Sequence, residues 1–235
     1  MKVYQNAQCG SALFFILIAV ALFAALSYTV SNMIRGGSGE TIITEKMGVY
    51  ADDVLGYGRQ MRQAVQAMRI SNGCSETDIS FEHTALAGYT HTPAASDSCK
   101  LFHPSGGGMS YQAALPAVNS GADWIFTGAN DGTAIGTQCD AASCADLVAI
   151  LPGLGAGMCK AINEKLGLAS GAGYLTQEDD SVSETKFQGT YSFAERIEDS
   201  ADADALEGKM QGCFEGRNAP QSAGTYYFYQ ILVAR

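Results

Sequence analysis

The sequence predicts an α+β fold in which a long N-terminal helix, apolar in its first half and amphipathic in its second, packs on a small antiparallel sheet stabilised by disulfides. Three observations support this prediction. Residues 12–34 form an uncharged apolar stretch, residues 40–70 carry an apolar stripe at helical spacing, and the body beyond residue 70 combines six cysteines with short strand-like segments and glycine turns. An apolar fraction of 47 % in 235 residues is sufficient for a real core.

These patterns divide the chain into four parts. Residues 1–10 are a polar leader, 11–35 an apolar transmembrane or assembly helix, 40–70 an amphipathic helix, and 71–235 an exported globular α+β domain on which the amphipathic helix packs. The net charge of −10, with 14 basic residues, argues against nucleic acid and anionic membrane surfaces as partners, because phosphate groups are bound by clustered Lys and Arg.

The apolar stretch is long enough to cross a membrane. No formal charge occurs from Ala12 to Ile34, and 23 helical residues span a hydrocarbon core of about 30 Å. A removable signal has a shorter apolar core, of about 7–15 residues, behind a basic start, whereas this leader carries Lys2 alone. Cleavage near Ala24 and Ala25 is the alternative, and it would leave a soluble secreted domain.

The leader, the helix and the body together resemble the type IV pilin-like proteins and pseudopilins. The leader ends in Gly10, the apolar helix starts one residue later, and a soluble cysteine-bearing body follows. The resemblance implies cleavage after Gly10 by a prepilin-type peptidase, with Ser11 as the first mature residue. The fifth mature position is usually acidic in that family, but here it is Phe15. In lacking this acidic residue the chain resembles the minor, tip-located subunits.

The resemblance also implies partners and a location. Other pilin-like subunits and the inner-membrane assembly machinery would be the partners, and the chain would cross the bacterial inner membrane once before joining a surface filament or secretion pseudopilus. The side chains expected to pack in the assembly are Leu13, Phe14, Phe15, Ile16, Leu17, Ile18 and Val20. The rival interpretation is an unprocessed single-pass protein that presents a disulfide-bonded binding domain to the periplasm.

An amphipathic helix is predicted over residues 40–70. Its apolar positions recur in steps of three and four, which places them on one face: Ile43, Met47, Tyr50, Val54, Tyr57, Met61, Ala64 and Met68. Residues 71–73, Ser-Asn-Gly, are a stop signal. Packing on the domain's own sheet is favoured over a coiled coil, because Gly48, Gly56 and Gly58 lower helix propensity by about 1 kcal/mol each.

The body is predicted to alternate loops, strands and one helix. Residues 74–119 are rich in turn residues, and a strand is centred on Trp124–Phe126. Residues 145–168 are predicted to be a helix that is kinked or split at Pro152-Gly153. Residues 187–193 and the C-terminal segment TYYFYQILVAR are predicted strands, the second placed centrally because it is aromatic and β-branched.

The cysteines of the body suit three disulfides. They are Cys74, Cys99, Cys139, Cys144, Cys159 and Cys213. They contain no CxxC pair, which disfavours a zinc site. Six cysteines allow 15 pairings, of which the most local joins 74 to 99, 139 to 144 and 159 to 213. Disulfides place the body outside the cytoplasm, which sets an orientation that the flanking charges leave nearly undecided.

Catalytic and metal-binding patterns are weak in this sequence. His83, His91 and His103 match no familiar ligand spacing, and a serine-nucleophile elbow is absent, so the chain is not expected to be an enzyme. The glycines of GGGM, residues 106–109, lack the Lys and Ser/Thr of a phosphate loop, so a turn is expected.

Calcium is the alternative to the expectation of no cofactor. Asp199, Asp202 and Asp204 lie in the acidic run EDSADADALE, where oxygens could surround a calcium ion, and some pseudopilins bind calcium. A solvated acidic surface is favoured instead. Asp123, Asn130 and Asp131 form a second, weaker oxygen cluster.

Overall fold

The computed structural model describes residues 11–36, 39–139, 141–168, 173–174, 176–178, 182–197, 205–217 and 221–235. It contains two compact units, Met1–Glu45 and Lys46–Arg235.

The first unit holds the apolar helix α1, which runs from Ser11 to Gly36. At 1.5 Å per residue, its 26 residues extend about 39 Å. No charged side chain interrupts it before Arg35. The apolar N-terminal helix predicted from the sequence is confirmed.

The second helix, α2, runs from Gly39 to Ser71, and from Lys46 onward it belongs to the second unit. Of the predicted stripe, Val54, Tyr57, Met61 and Met68 are buried, and Met47, Tyr50 and Ala64 are half-buried. The buried face is wider than predicted, because Ala51, Leu55 and Val65 are buried as well. The helix ends as expected: the Asn72 amide donates to the Met68 carbonyl, and Gly73 takes a left-handed φ of +67°.

Six strands among the described residues form one sheet. They are β1 (Ile125–Gly132), β2 (Asp146–Leu154), β3 (Thr176–Glu178), β4 (Glu195–Ile197), β5 (Gln211–Gly216) and β6 (Thr225–Val233). Their spatial order is β3-β5-β6-β2-β1-β4. The four inner strands are antiparallel to one another, whereas β3 pairs with β5 and β4 with β1 in parallel. The α+β class is confirmed, and the antiparallel arrangement is confirmed only for the inner strands.

The sheet separates two apolar clusters. Leu147 and Leu151 of β2 face the cluster that contains α2, while Val148 and Ile150 face the other cluster. This alternation is the period of two that a strand imposes. A Cβ placed on Gly58 would lie 3.2 Å from Phe228 Cζ, so the glycine permits the close approach of α2 to β6.

The predicted helix over residues 145–168 is wrong in its first half. This segment forms strand β2, and after Gly155 it continues as a helix, α3, from Ala156 to Leu166. Residues 147–151 are apolar without interruption because both faces of β2 are buried, and such a run fits a buried helix equally well. Pro152 and Gly153 fall near the end of β2, where the register with β6 shifts between Leu151 and Leu154.

The predicted strand over residues 187–193 is also wrong. Between residues 182 and 197, strand geometry is confined to β4, at Glu195–Ile197. The amides of Phe187 and Ser192 nevertheless donate to the Phe126 and Gly128 carbonyls of β1, so the segment follows β1 without a regular ladder. The two other strand predictions are confirmed: β1 begins at Ile125, and β6 lies between β5 and β2.

Three disulfides stabilise the second unit, and their pairing is the most local one. Cys74–Cys99 joins the chain just after α2 to a short 3₁₀ helix at Asp97–Cys99. Cys139–Cys144 closes the β1–β2 connection, and Cys159–Cys213 joins α3 to β5.

Candidate functional site

The exposed side chains of α1 are the first candidate for a functional surface. Every described side chain from Phe14 to Ser31 is exposed, and the large apolar ones range from 41 % exposed at Ile18 to 75 % at Phe23. Keeping so much apolar surface in water is unfavourable, by about 25 cal/mol per Å². A long apolar helix exposed in this way requires a cover of lipid or protein.

α1 also meets the length and composition of a membrane span. The stretch that qualifies is Phe14–Ser31, of which 0 % is buried. A signal sequence near an N-terminus passes the same test, so the helix is only weak support for a membrane location.

The residues predicted for processing and assembly lie at the start of this helix. Gly10 is outside the described residues, and α1 begins at Ser11. The side chains of Ser11 and Leu13 are likewise outside the description. The other predicted assembly residues are all exposed: Phe14, Phe15, Ile16, Leu17, Ile18 and Val20. Phe14 and Phe15 contact each other edge to face, with ring centroids 6.3 Å apart.

A cleft beside α2 is the second candidate surface. We call it the α2 cleft; its volume is about 560 Å³, within the range of ligand-sized pockets. Its floor is apolar and aromatic, with the Trp124 and Tyr57 rings in tilted contact at a centroid distance of 5.6 Å. The Tyr57 hydroxyl donates to the Ser110 carbonyl and accepts the Gln112 amide, which fixes the loop along one side. Burial raises the pKa of Tyr57, so this hydroxyl stays protonated.

The rim of the α2 cleft is polar and acidic. Asp52, Asp53 and Gln60 line it from α2, and Leu115, which is 52 % exposed, lines it from the opposite loop. Asp52 Oδ2 is engaged by Lys165 Nζ at 2.7 Å. Apart from the acidic residues on the polar side of α2, no pattern in the sequence indicates this cleft.

An ionic network centred on Arg235 was also missed by sequence reasoning. Arg235 Nε donates to Glu76 Oε2 at 2.8 Å, and its backbone amide donates to Asp146 Oδ1 at 2.9 Å. The guanidinium lies 3.9 Å from the Tyr191 ring centroid, and Arg69 binds the other oxygen of Glu76 at 2.7 Å. The network ties the end of α2 to β2 and to the segment after β6.

The buried carboxylate of Asp146 is the most perturbed acid in this network. Its side chain is 0 % exposed and accepts amide hydrogens from Gly132 and Arg235. Burial raises the pKa of Asp146 to about 6, although both amides lower it. Since every partner is a protein group that fixes the fold, this cluster is structural.

The three histidines do not converge. His83 Nδ1 accepts the Ala85 amide and His103 Nδ1 accepts the Ser105 amide, so each stabilises its own turn. His91 is 7 % exposed, and its buried Nε2 has no hydrogen-bond partner. Burial lowers the pKa of His91, against the carboxylates of Glu82 and Asp78, which raise it.

The metal candidates divide between described and undescribed parts of the chain. Asp199, Asp202 and Asp204 lie outside the described residues. Asp131 is instead fully buried and bound by Arg196 and Gln138, and Asn130 bonds the backbone of Ser183. No group of three His, Cys, Asp or Glu side chains that could hold a metal ion occurs within the part of the chain that the structure describes. Residues 106–109, the GGGM segment, lie in a turn and in irregular backbone, and the turn agrees with the expectation from the sequence.

Comparison with known proteins adds no relative: the chain matches no protein-family model, no curated protein and no solved structure.

Proposed function

We propose that this chain is a pilin-like structural subunit, of the minor or tip type, in a bacterial type IV pilus-like filament or secretion pseudopilus. Its apolar helix α1 holds the subunit in the inner membrane and then packs against the helices of neighbouring subunits. The leader is removed after Gly10 by a prepilin-type peptidase, and Ser11 becomes the first residue. The chain has a structural role rather than an enzymatic one and uses no cofactor.

The exposure of α1 is the single observation that carries this proposal. Its described side chains from Phe14 to Ser31 are all exposed, so nothing among the described residues of the first unit covers them. Lipid covers such a helix before assembly. After assembly, the helices of neighbouring subunits cover it instead. Burial against them is worth about 25 cal/mol per Å² relative to exposure to water, which offsets the loss of contact with lipid.

The second unit suits a role outside the cytoplasm. Its three disulfides form in an oxidising compartment, and they crosslink residues 74 and 99, the β1–β2 connection, and α3 with β5. Such crosslinks keep an exported domain folded while its helix is moved from lipid into a filament.

A Gly10→Val variant tests the proposal. Because the peptidase reads the leader glycine, the variant should remain in the membrane at full length and disappear from the filament fraction sheared from cells. An Ala12→Val variant adds a similar apolar volume within the helix and serves as the control that should still assemble. Equal amounts of both variants in the sheared fraction would contradict the proposal.

A second candidate function is an unprocessed membrane anchor that presents a binding domain to the periplasm. The observation that favours it is that α1 is exposed on all sides, as a helix surrounded by lipid would be, rather than on one face. In that case Met1 is retained and the Gly10→Val substitution changes nothing.

A further inference from the structure

The outward face of α2 carries an arginine pair whose role the fold leaves open. We call the surface formed by Arg59, Arg62, Gln63, Gln66, Ala67 and Ile70 the arginine stripe; these residues line one shallow groove. The opposite face of α2 is buried against the sheet. Neither Arg59 nor Arg62 has a carboxylate within 4.0 Å among the described residues, whereas Arg69, Arg196 and Arg235 are each in an ion pair.

An exposed apolar side chain ends the arginine stripe. Ile70 is 82 % exposed, more than any other large apolar side chain in the described part of the chain. Two unpaired cations beside an exposed isoleucine are the composition of a surface that binds an acidic, partly apolar partner. In a chain of net charge −10, a pair of arginines without acidic neighbours is a specific local feature.

The α2 cleft has the complementary composition. Its lining contains two carboxylates and no basic residue, and Leu115 stands at its edge, 52 % exposed. Lys165 engages Asp52, while Asp53 is exposed and has no ion-pair partner among the described side chains. The cleft therefore offers a free carboxylate beside an exposed leucine.

We propose that the arginine stripe of one copy binds the α2 cleft of a second copy of this chain. Arg62 and Arg59 face the Asp53 end of the cleft, and Ile70 contributes the apolar contact. Two copies of such an acidic protein repel each other at long range, so a stable contact requires opposite charges that meet locally. One surface binds a different surface, so the contact is heterologous and repeats from copy to copy without closing.

The positions on α2 fix the displacement between the two copies. Asp53 and Arg62 are nine residues apart, which is about 14 Å along a helix. Parallel copies displaced by that distance bring the two side chains to one level. This inference rests on the proposed function only in that the two copies are parallel and displaced along the α2 axis, as successive subunits of a filament are.

Carbodiimide crosslinking of the full-length chain in its native membrane tests the contact. An Arg62→Lys variant supplies an amine where the arginine stood, and the reagent joins an amine to a carboxylate that touches it. We expect a covalent dimer, with higher multimers, in which peptide mapping finds residue 62 linked to Asp53. Linkage within one chain is excluded by the distance between these residues.

Two further substitutions make the result specific. Adding Asp53→Asn should reduce the dimer at least tenfold, while adding Glu164→Gln, which removes an exposed carboxylate on α3, should leave it unchanged. Normal Trp124 fluorescence checks that each variant is folded. A dimer that survives Asp53→Asn, or no dimer at all, overturns the inference.

The mature N-terminus of the same material separates this inference from the proposed function. If Ser11 is the first residue and no residue 62–Asp53 linkage forms, the contact is wrong and the proposed function stands. If Met1 is retained and the linkage forms, the contact stands without the filament.

Discussion

Removing single disulfides should destabilise the second unit by amounts that follow the length of chain each one closes. In the chain-entropy account, the stabilisation increases with the logarithm of the number of residues in the closed loop. Cys159–Cys213 has a sequence separation of 54 and Cys139–Cys144 a separation of 5. The expected contributions are about 4 kcal/mol for the first disulfide and about 2 kcal/mol for the second.

The structure adds a packing term to this difference. Cys159 and Cys213 are both 0 % exposed and lie in the apolar cluster between α3 and the sheet. Replacing the pair by alanine therefore also removes buried sulfur atoms from a packed core. The loss of free energy of unfolding in Cys159→Ala/Cys213→Ala should therefore exceed the loss in Cys139→Ala/Cys144→Ala by about 2 kcal/mol or more.

Urea unfolding of the full-length protein in detergent micelles measures both losses. The chain has a single tryptophan, Trp124, which is 3 % exposed in the second unit, so its emission reports the unfolding of that unit alone. The free energies of unfolding come from linear extrapolation for each variant. Equal losses for the two variants, or a larger loss for Cys139→Ala/Cys144→Ala, would refute this reasoning.

Three further substitutions test the packing of α2 and the Arg235 network. Gly58→Val should destabilise the protein by about 1–3 kcal/mol, because a Cβ there lies 3.2 Å from Phe228 Cζ. Gly56→Ala should instead stabilise it, by up to about 1 kcal/mol, since a Cβ at that position meets no atom within 4 Å; urea unfolding of both decides the matter. The pKa of Asp146 in the folded state is about 6, above its usual 3.8, so its contribution to stability is complete below pH 3.8 and is lost as the pH rises through 6. When the pH is lowered from 7 to 5, the free energy of unfolding of the wild-type protein, relative to that of Asp146→Asn, should increase by about 1 kcal/mol. A difference that does not change with pH would contradict this assignment.

The parts of the fold that follow from local pattern were predictable. α2 has one buried face and one solvated face, so its apolar residues recur at helical spacing. The C-terminal strand was recognisable from its aromatic and β-branched composition. β2 was not recognisable, because both its faces are buried and its continuous apolar run does not distinguish a strand from a helix.

The candidate surfaces were predictable only where they depend on one segment. The exposed helix α1 follows from a single uncharged stretch. The Arg235 network joins Glu76, Asp146 and Tyr191, which are distant in sequence and meet only in the folded chain. The α2 cleft likewise needs Trp124 and the 112–115 loop to lie against α2.

The intact mass of the chain purified from its native membrane or filament tests the central claim most directly. Retention of α1 with removal of the leader predicts a protein that begins at Ser11, with or without a methyl group on its amine. A protein that begins beyond Ala25 would contradict the account, because it would have lost most of the apolar helix on which the proposed assembly depends.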